Sequence, residues 1–138
     1  MSTPGQPDVQ SMYVQYQNAV RQLQMLEQQV DIYTNLLEQY RTNLETLNGL
    51  KDYPEDGEFI FPLSDMVHLK ANFSGIKEVM VDVGSDYLLP TTFEDAVEKL
   101  ETRIEQFENL LERFSKQKNE LETIASGLQN QLNQFSRQ

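Results

Sequence analysis

The chain has 138 residues, 38% of them hydrophobic, and no cysteine. Its 22 acidic and 11 basic residues give a formal net charge of -11, which disfavours binding to nucleic acid and to anionic membranes. Disulfides and cysteine-based zinc sites are excluded, and no apolar stretch is long enough for a signal peptide or a membrane span, so we expect a soluble intracellular protein.

The N-terminal part predicts one long helix. Two prolines and a glycine precede Asp8 and Ser11, either of which can cap a helix over residues 9–48. We expect Gly49 to end it as a left-handed cap. Apolar residues recur alternately four and three positions apart, the 3.5-residue period of a left-handed coiled coil. The seam comprises Met12, Tyr16, Ala19, Leu23, Leu26, Val30, Tyr33, Leu37, Tyr40, Leu44 and Leu47.

The middle of the chain predicts two consecutive β-hairpins within residues 58–91. Its short runs are rich in β-branched, aromatic and leucine residues and are separated by turn residues. Gly84-Ser85 is expected to form a two-residue hairpin loop. The runs cover residues 58–63, 66–73, 77–83 and 86–90. Two-stranded hairpins are marginal alone in water, so we expect them to pair with hairpins of other subunits.

A second helix is predicted over residues 92–136. It begins at Thr91 or Thr92, with Thr91 and Glu94 in a capping-box pattern. Its seam comprises Val97, Leu100, Ile104, Phe107, Leu111, Phe114, Lys118, Leu121, Ala125, Leu128, Leu132 and Phe135. The sole polar seam residue, Lys118, is expected to extend its ammonium group to solvent or to Glu27.

The matched lengths of the two helices predict an intramolecular antiparallel coiled coil. The fold class is therefore α+β, a long coiled coil with two central hairpins. A register pairing positions whose numbers sum to 144 places Tyr33 opposite Leu111 and Ala19 opposite Ala125. The Ala-Ala layer and the nearby Gly127 predict a weak point beyond which the helices splay.

The two outer helix ends share an unusual composition. Residues 9–20 carry no charge, and Arg137 is the only charged residue after position 122. These segments still contain aliphatic and aromatic residues among glutamines and asparagines, which favours an adaptable binding surface. A frayed and solvated coil end explains the same composition equally well.

The segment from Phe61 to Leu100 resembles the hairpin block of alpha-class prefoldin subunits. It reads FPLSDMVHLKANFSGIKEVMVDVGSDYLLPTTFEDAVEKL. The order of elements in residues 9–137, a helix, two hairpins and a second helix, corresponds to that class, whereas beta-class subunits have one hairpin. We therefore interpret residues 1–138 as one prefoldin-like domain. The resemblance implies a cytoplasmic, ATP-independent chaperone hexamer of two alpha-class and four beta-class subunits joined by inter-subunit β-barrels. It implies that the coiled-coil tips capture non-native proteins and deliver them to a group II chaperonin.

The resemblance and the sequence pattern together predict a set of client-binding residues and a set of subunit-interface residues. The client-binding residues are Met12, Tyr13, Val14, Tyr16, Leu128, Leu132 and Phe135. The subunit-interface residues are Phe59, Phe61, Val67, Leu69, Val79, Val81, Val83 and Tyr87.

No catalytic, cofactor or metal site is predicted, and we do not expect an enzyme. His68 is the only histidine and has no second ligand at metal-binding spacing. Gly75 and Gly84 lack the pattern of a phosphate-binding loop. The alternative function is a structural coiled-coil scaffold or tether that binds one defined partner, although a scaffold needs only the helices.

Overall fold

The computed structural model describes residues 8–76 and 78–137. Its elements in chain order are α1 (Val9–Lys51), β1 (Glu58–Pro62), β2 (His68–Asn72), β3 (Val79–Asp82), β4 (Leu88–Thr91) and α2 (Phe93–Ser136). The residues fall into two structural units. The terminal unit contains residues 8–37 and 106–137, and the central unit contains the described residues of 38–105.

Helix α1 is capped by Asp8, one of the two predicted caps, but ends later than predicted. The Asp8 Oδ1 atom accepts a hydrogen bond from the Gln10 backbone N–H at 3.1 Å. Gly49 does not adopt a left-handed conformation, so its predicted role as the helix cap is wrong. The helix continues to Lys51 because its last turn packs within the central unit: the Lys51 ammonium group lies 5.7 Å from the centroid of the Phe93 ring.

Helix α2 is capped by Thr92. The Thr92 Oγ1 atom accepts a hydrogen bond from the Asp95 backbone N–H at 3.1 Å. The predicted capping box of Thr91 and Glu94 is wrong, because Thr91 is the last residue of β4 and pairs with Val79. Helix α2 begins at Phe93, so the cap position immediately before it is Thr92, one position further along the chain than predicted.

Side-chain contacts in both units confirm the predicted antiparallel register. In the terminal unit, the Tyr33 ring lies 5.6 Å from the Phe107 ring and 5.8 Å from the Phe114 ring. These two phenylalanines lie one turn to either side of Leu111, the residue predicted opposite Tyr33. In the central unit, Lys51 contacts Phe93, and the numbers of these two residues also sum to 144, as the predicted register requires. A shift of one heptad would place Tyr33 opposite position 104 or 118 and is excluded.

The seam is the core of the coiled coil. Every predicted seam position is buried or half-buried except Phe135, which is 38% exposed. The most buried apolar residues of the described chain are Met12, Ala19, Leu26, Leu37, Ala96 and Ala125. Ala96 lies outside the predicted seam, because the face that a helix buries is wider than two positions in seven.

The first hairpin pairs β1 with β2 in an antiparallel register that places Phe61 opposite Leu69. Its strands are shorter than predicted because residues 63–67 form the connecting loop. The Ser64 Oγ atom accepts hydrogen bonds from the backbone N–H groups of Met66 at 3.3 Å and Val67 at 3.2 Å. These bonds hold Met66 and Val67 in the loop, so β2 begins at His68.

The base of the first hairpin is attached to the segment that leaves α1. The Tyr53 ring packs edge-on against the Phe73 ring, with centroids 5.6 Å apart, and the Tyr53 hydroxyl donates to the Glu58 carbonyl. The Phe73 N–H donates to the Gly57 carbonyl at 2.8 Å, which extends the pairing beyond β1 and β2.

The second hairpin pairs β3 with β4 and places Val81 opposite Leu89. The predicted two-residue loop at Gly84-Ser85 is wrong, since Asp86 also belongs to the loop and Val83 donates to the Tyr87 carbonyl at 3.1 Å. Gly84, Ser85 and Asp86 all have positive φ, at 100°, 55° and 62°. The Asp82 Oδ1 atom accepts from the Gly84 N–H at 2.8 Å and so favours the wider loop.

Candidate functional site

The predicted client-binding residues divide into a seam group and an exposed group. Met12 is 8% exposed, and three others are half-buried seam residues: Tyr16, Leu128 and Leu132. Tyr13, Val14 and Phe135 are 53%, 49% and 38% exposed. We call these last three residues the exposed end group. In the structure they are the part of the predicted site that is open to contact without any movement of the helices.

Sequence reasoning missed Val9, which is 42% exposed. The confirmed register places it opposite Phe135, the last residue of the α2 seam. The signal was present, because Val9 precedes Met12 by three positions and continues the alternating spacing by one step. The terminal unit therefore ends in an apolar layer that is only partly covered.

Charge is distributed unevenly between the two units. Residues 38–105 contain 15 acidic and 6 basic residues, whereas the rest of the chain contains 7 acidic and 5 basic residues. The outer ends of α1 and α2 are the least charged segments, and a bound polypeptide would meet mainly apolar and amide side chains there. Such a surface is suited to chains of differing charge.

Moving from the outer helix ends toward Tyr33, the seam contains the alanine pair Ala19 and Ala125 and then the charged residue Lys118. The Lys118 ammonium group lies 3.7 Å from the Glu27 carboxylate and 4.0 Å from that of Glu122. Of the two predicted positions for this group, in solvent or beside Glu27, the structure shows the second. Ala19 and Ala125 are both buried, at 5% and 8% exposure. The two alanines therefore form a closed layer, although one that buries little apolar surface.

A shallow groove of about 390 Å³ runs along one flank of the terminal unit. Its lining residues are Gln22, Met25, Leu26, Gln29, Gln117, Glu120, Leu121 and Ile124. Met25 and Ile124 are 58% and 53% exposed, and Ile32, one heptad from Met25, is 57% exposed. We call these three residues the flank group. Sequence reasoning missed it because its members lie outside the seam period.

The first hairpin presents a continuous apolar face. Side chains alternate across a strand pair, so Phe59, Phe61, Leu69 and Ala71 share one face. Val67 lies next to these strands in the connecting loop and is 45% exposed. Phe61 and Leu69 are 54% and 50% exposed. The opposite face is more polar and contains the ion pair of Lys70 with Glu58 at 3.1 Å. Phe59, Phe61 and Leu69, three of the predicted interface residues, thus lie together on one uncovered surface.

The second hairpin has a similar face that is covered at one end. Val79 and Val81 are half-buried, whereas Val83 and Tyr87 next to the loop are 55% and 70% exposed. Leu89 lies on the same face opposite Val81 and is 53% exposed. All four predicted residues therefore share one side, and Leu89 is an addition that the sequence interpretation missed.

The described residues contain no group of three or more His, Asp or Glu side chains able to hold a metal ion. His68 is exposed at the start of β2 and pairs with Pro62. Neither described helix contains a segment long and apolar enough to cross a membrane.

Comparisons with known proteins agree with this architecture. A family model described as prefoldin subunit matches residues 20–138. The prefoldin subunit alpha 1 of Thermococcus kodakarensis is 29% identical over 99 residues, covering 72% of this chain and 68% of the relative. The prefoldin subunit alpha of Methanospirillum hungatei is 24% identical over 139 residues, covering 100% of this chain and 93% of the relative.

Two solved structures share the fold. The filamentous prefoldin of Methanocaldococcus jannaschii matches with a TM-score of 0.70 and 18% identity, over 86% of this chain and 98% of that one. The prefoldin beta subunit of Thermococcus strain KS-1 matches with a TM-score of 0.65 and 23% identity, over 96% of each chain.

Proposed function

This chain belongs to the prefoldin family as an alpha-class subunit, and we propose that it captures non-native proteins at the outer ends of α1 and α2 without ATP. In the proposed assembly, two copies join four beta-class subunits through their hairpins in the cytoplasm. The complex then delivers the captured protein to a group II chaperonin.

The observation that carries the proposal is the exposed end group of Tyr13, Val14 and Phe135. These residues are 38% to 53% exposed and lie in segments without charge between positions 9 and 20 and between 123 and 136. Apolar side chains surrounded by amides make weak contacts that do not depend on one client sequence. A holding chaperone needs contacts of this kind, because it must release its client as well as bind it.

The test measures suppression of aggregation. A complex of this chain with a beta-class prefoldin is mixed, without nucleotide, with a chemically denatured unrelated enzyme, and light scattering is followed. The triple variant Tyr13→Gln, Val14→Gln, Phe135→Gln is expected to lose most of the suppression while it still assembles. Removal of residues 1–15 and 129–138 is expected to have the same effect.

The flank group supplies a matched control. The triple variant Met25→Gln, Ile32→Gln, Ile124→Gln removes the same number of apolar side chains at 53% to 58% exposure and is expected to retain suppression. Loss of suppression in this control alone would place client binding on the flank. No suppression by the unmodified complex would favour a scaffold that binds one defined partner.

Delivery to a chaperonin is tested separately. A fluorescently labelled client held by the complex is mixed with a group II chaperonin, and the label is followed by gel filtration. We expect the label to move to the chaperonin fraction. Retention of all label on the prefoldin-type complex would contradict delivery while leaving capture intact.

A further inference from the structure

The last turn of α1 contains a chemically reactive pair of residues. Asn48 is the only one of the nine asparagines in the chain that is followed by a glycine. Both Asn48 and Gly49 are exposed, and nothing lies within 4 Å of a Cβ atom built at Gly49. Water therefore reaches the side-chain amide of Asn48 and the peptide bond that follows it.

This pair can react with water alone as the second reactant. The Gly49 backbone nitrogen attacks the Cγ carbon of Asn48, which closes a five-membered succinimide ring, and the amide group leaves with the displaced proton as ammonia. Water then opens the ring at either carbonyl and leaves aspartate or isoaspartate at position 48. Glycine in the second position favours ring closure, because it has no Cβ atom to hinder the attack and its backbone is permissive.

The helical conformation of the same residues opposes ring closure. Helix α1 continues to Lys51, so the Gly49 N–H belongs to the pattern in which each N–H pairs with the carbonyl four residues earlier. This pairing holds the Gly49 nitrogen away from Cγ of Asn48, and the nitrogen must be released before it can attack. The reaction rate is therefore proportional to the fraction of time for which the last turn is open.

The closed state of the last turn depends on its contacts beyond Gly49, because a glycine inside a helix favours opening. The Leu50 carbonyl accepts a hydrogen bond from the Tyr53 N–H at 3.3 Å. An open cavity of about 420 Å³ lies beside the turn and is lined in part by Leu50, Lys51 and Phe93. The Lys51 ammonium group lies 5.7 Å from the centroid of the Phe93 ring, so this contact ties the end of α1 to the start of α2.

We propose that Asn48 is a site of spontaneous deamidation, and that the contact of Lys51 with Phe93 sets its rate by keeping the last turn of α1 closed. The product reinforces opening. A carboxylate near the C-terminal end of a helix is unfavourable beside the helix dipole, and isoaspartate lengthens the backbone by one carbon, which interrupts the helical hydrogen bonds. The modification loosens the connection between α1 and the first hairpin and is independent of client capture.

The test follows position 48 in the full-length chain. The folded chain is kept at mildly alkaline pH, and peptide mass spectrometry of digested samples detects conversion of the amide to a carboxylate. The same chain in guanidinium chloride gives the rate of the open state, which we expect to be roughly 10-fold or more above that of the folded chain. Asn43 is exposed on the same helix but is followed by a leucine, and it should remain unmodified over this time.

Two variants remove the contact in different ways. Lys51→Gln removes the charge, and Phe93→Leu removes the ring while it keeps an apolar side chain at this half-buried position. Each should raise the rate at Asn48 by about 2-fold to 5-fold, the change expected on loss of an exposed cation–π contact, while circular dichroism shows retained helicity. The charge-matched control Lys116→Gln, at an exposed position of the terminal unit, should leave the rate unchanged.

The outcomes separate the contact from other effects. An unchanged rate in both contact variants would overturn the proposal. A change in Lys51→Gln that Phe93→Leu does not share would assign the effect to the lysine charge acting on the reaction, which would also overturn it. If Asn48 stays intact in the folded chain and in both variants while the unfolded chain is fully converted, position 48 is not a modification site of the folded protein.

Discussion

The ammonium group of Lys118 lies 3.7 Å from the carboxylate of Glu27 on the facing helix. Lys118 occupies a seam position opposite Leu26, which is only 7% exposed. An exposed ion pair contributes about 0–1 kcal/mol, whereas a well-covered leucine contributes about 1.5–3 kcal/mol. We therefore expect Lys118→Leu to raise the free energy of unfolding by about 1 kcal/mol, as measured by urea unfolding followed by circular dichroism.

The control for this prediction is Lys116→Leu. Lys116 is also paired with a carboxylate, that of Glu112 at 3.7 Å, but its side chain is 73% exposed. Leucine at this position gains little burial, so its stability should be nearly unchanged. A loss of stability in Lys118→Leu would mean that the ion pair outweighs the apolar layer.

The position of the Tyr53 ring leaves no room for a side chain at position 57. A Cβ atom at position 57 would overlap that ring and lie 2.9 Å from the Pro54 carbonyl oxygen. The ring would have to move away from Phe73 and from the Glu58 carbonyl. We expect Gly57→Ala to lower the free energy of unfolding by about 1–3 kcal/mol, as measured by thermal unfolding.

Gly49 is the matched glycine for comparison. It is helical, and nothing lies within 4 Å of a Cβ built there. Gly49→Ala should therefore raise stability by about 0.5–1 kcal/mol. Opposite signs for the two variants would support the specific contact at Gly57, and a neutral Gly57→Ala would show that the ring moves at little cost.

The long elements could be predicted because the spacing of their apolar residues follows from which side chains are buried. The alternation of four and three positions identified the seam from Met12 to Leu132 and the register that places Tyr33 between Phe107 and Phe114. The alternation of Val79 and Val81 with Met80 likewise identified the apolar face of the second hairpin, on which both valines are half-buried. In both cases one local pattern is sufficient to define one buried side.

The ends of the elements could not be predicted in the same way. Gly49 has the local character of a helix cap, but the contact of Lys51 with Phe93, 42 positions away in the chain, carries the helix past it. The loop after β3 depends on one side-chain hydrogen bond from Gly84 to Asp82. The flank group was missed because exposure outside the seam leaves no periodic signal.

Assembly is expected to depend on the apolar face of the second hairpin that contains Val81 and Leu89. Val81 is half-buried and lies opposite Leu89, so Val81→Asp would place a charge in the proposed inter-subunit sheet at a cost of several kcal/mol. Light scattering with a beta-class partner should show loss of the assembled complex while circular dichroism shows retained helicity. Met80→Asp, on the opposite face, should still assemble. An intact complex with Val81→Asp would contradict the placement of Val81 in the interface.

The last prediction concerns the strength of the terminal unit beyond its alanine layer. Ala19 and Ala125 form a closed layer that buries little surface, and Gly127 follows within the continuous helix α2. A glycine inside a helix costs about 0.5–1 kcal/mol relative to alanine. We therefore expect backbone amide exchange to be faster in residues 9–18 and 126–136 than in the neighbouring seam residues toward Tyr33.

Gly127→Ala has room for its Cβ atom and should slow that exchange. If the helices must splay to hold a client, it should also weaken aggregation suppression, whereas Gly49→Ala should leave suppression unchanged. Equal exchange rates on both sides of the alanine layer in the unmodified protein would contradict a weak point there.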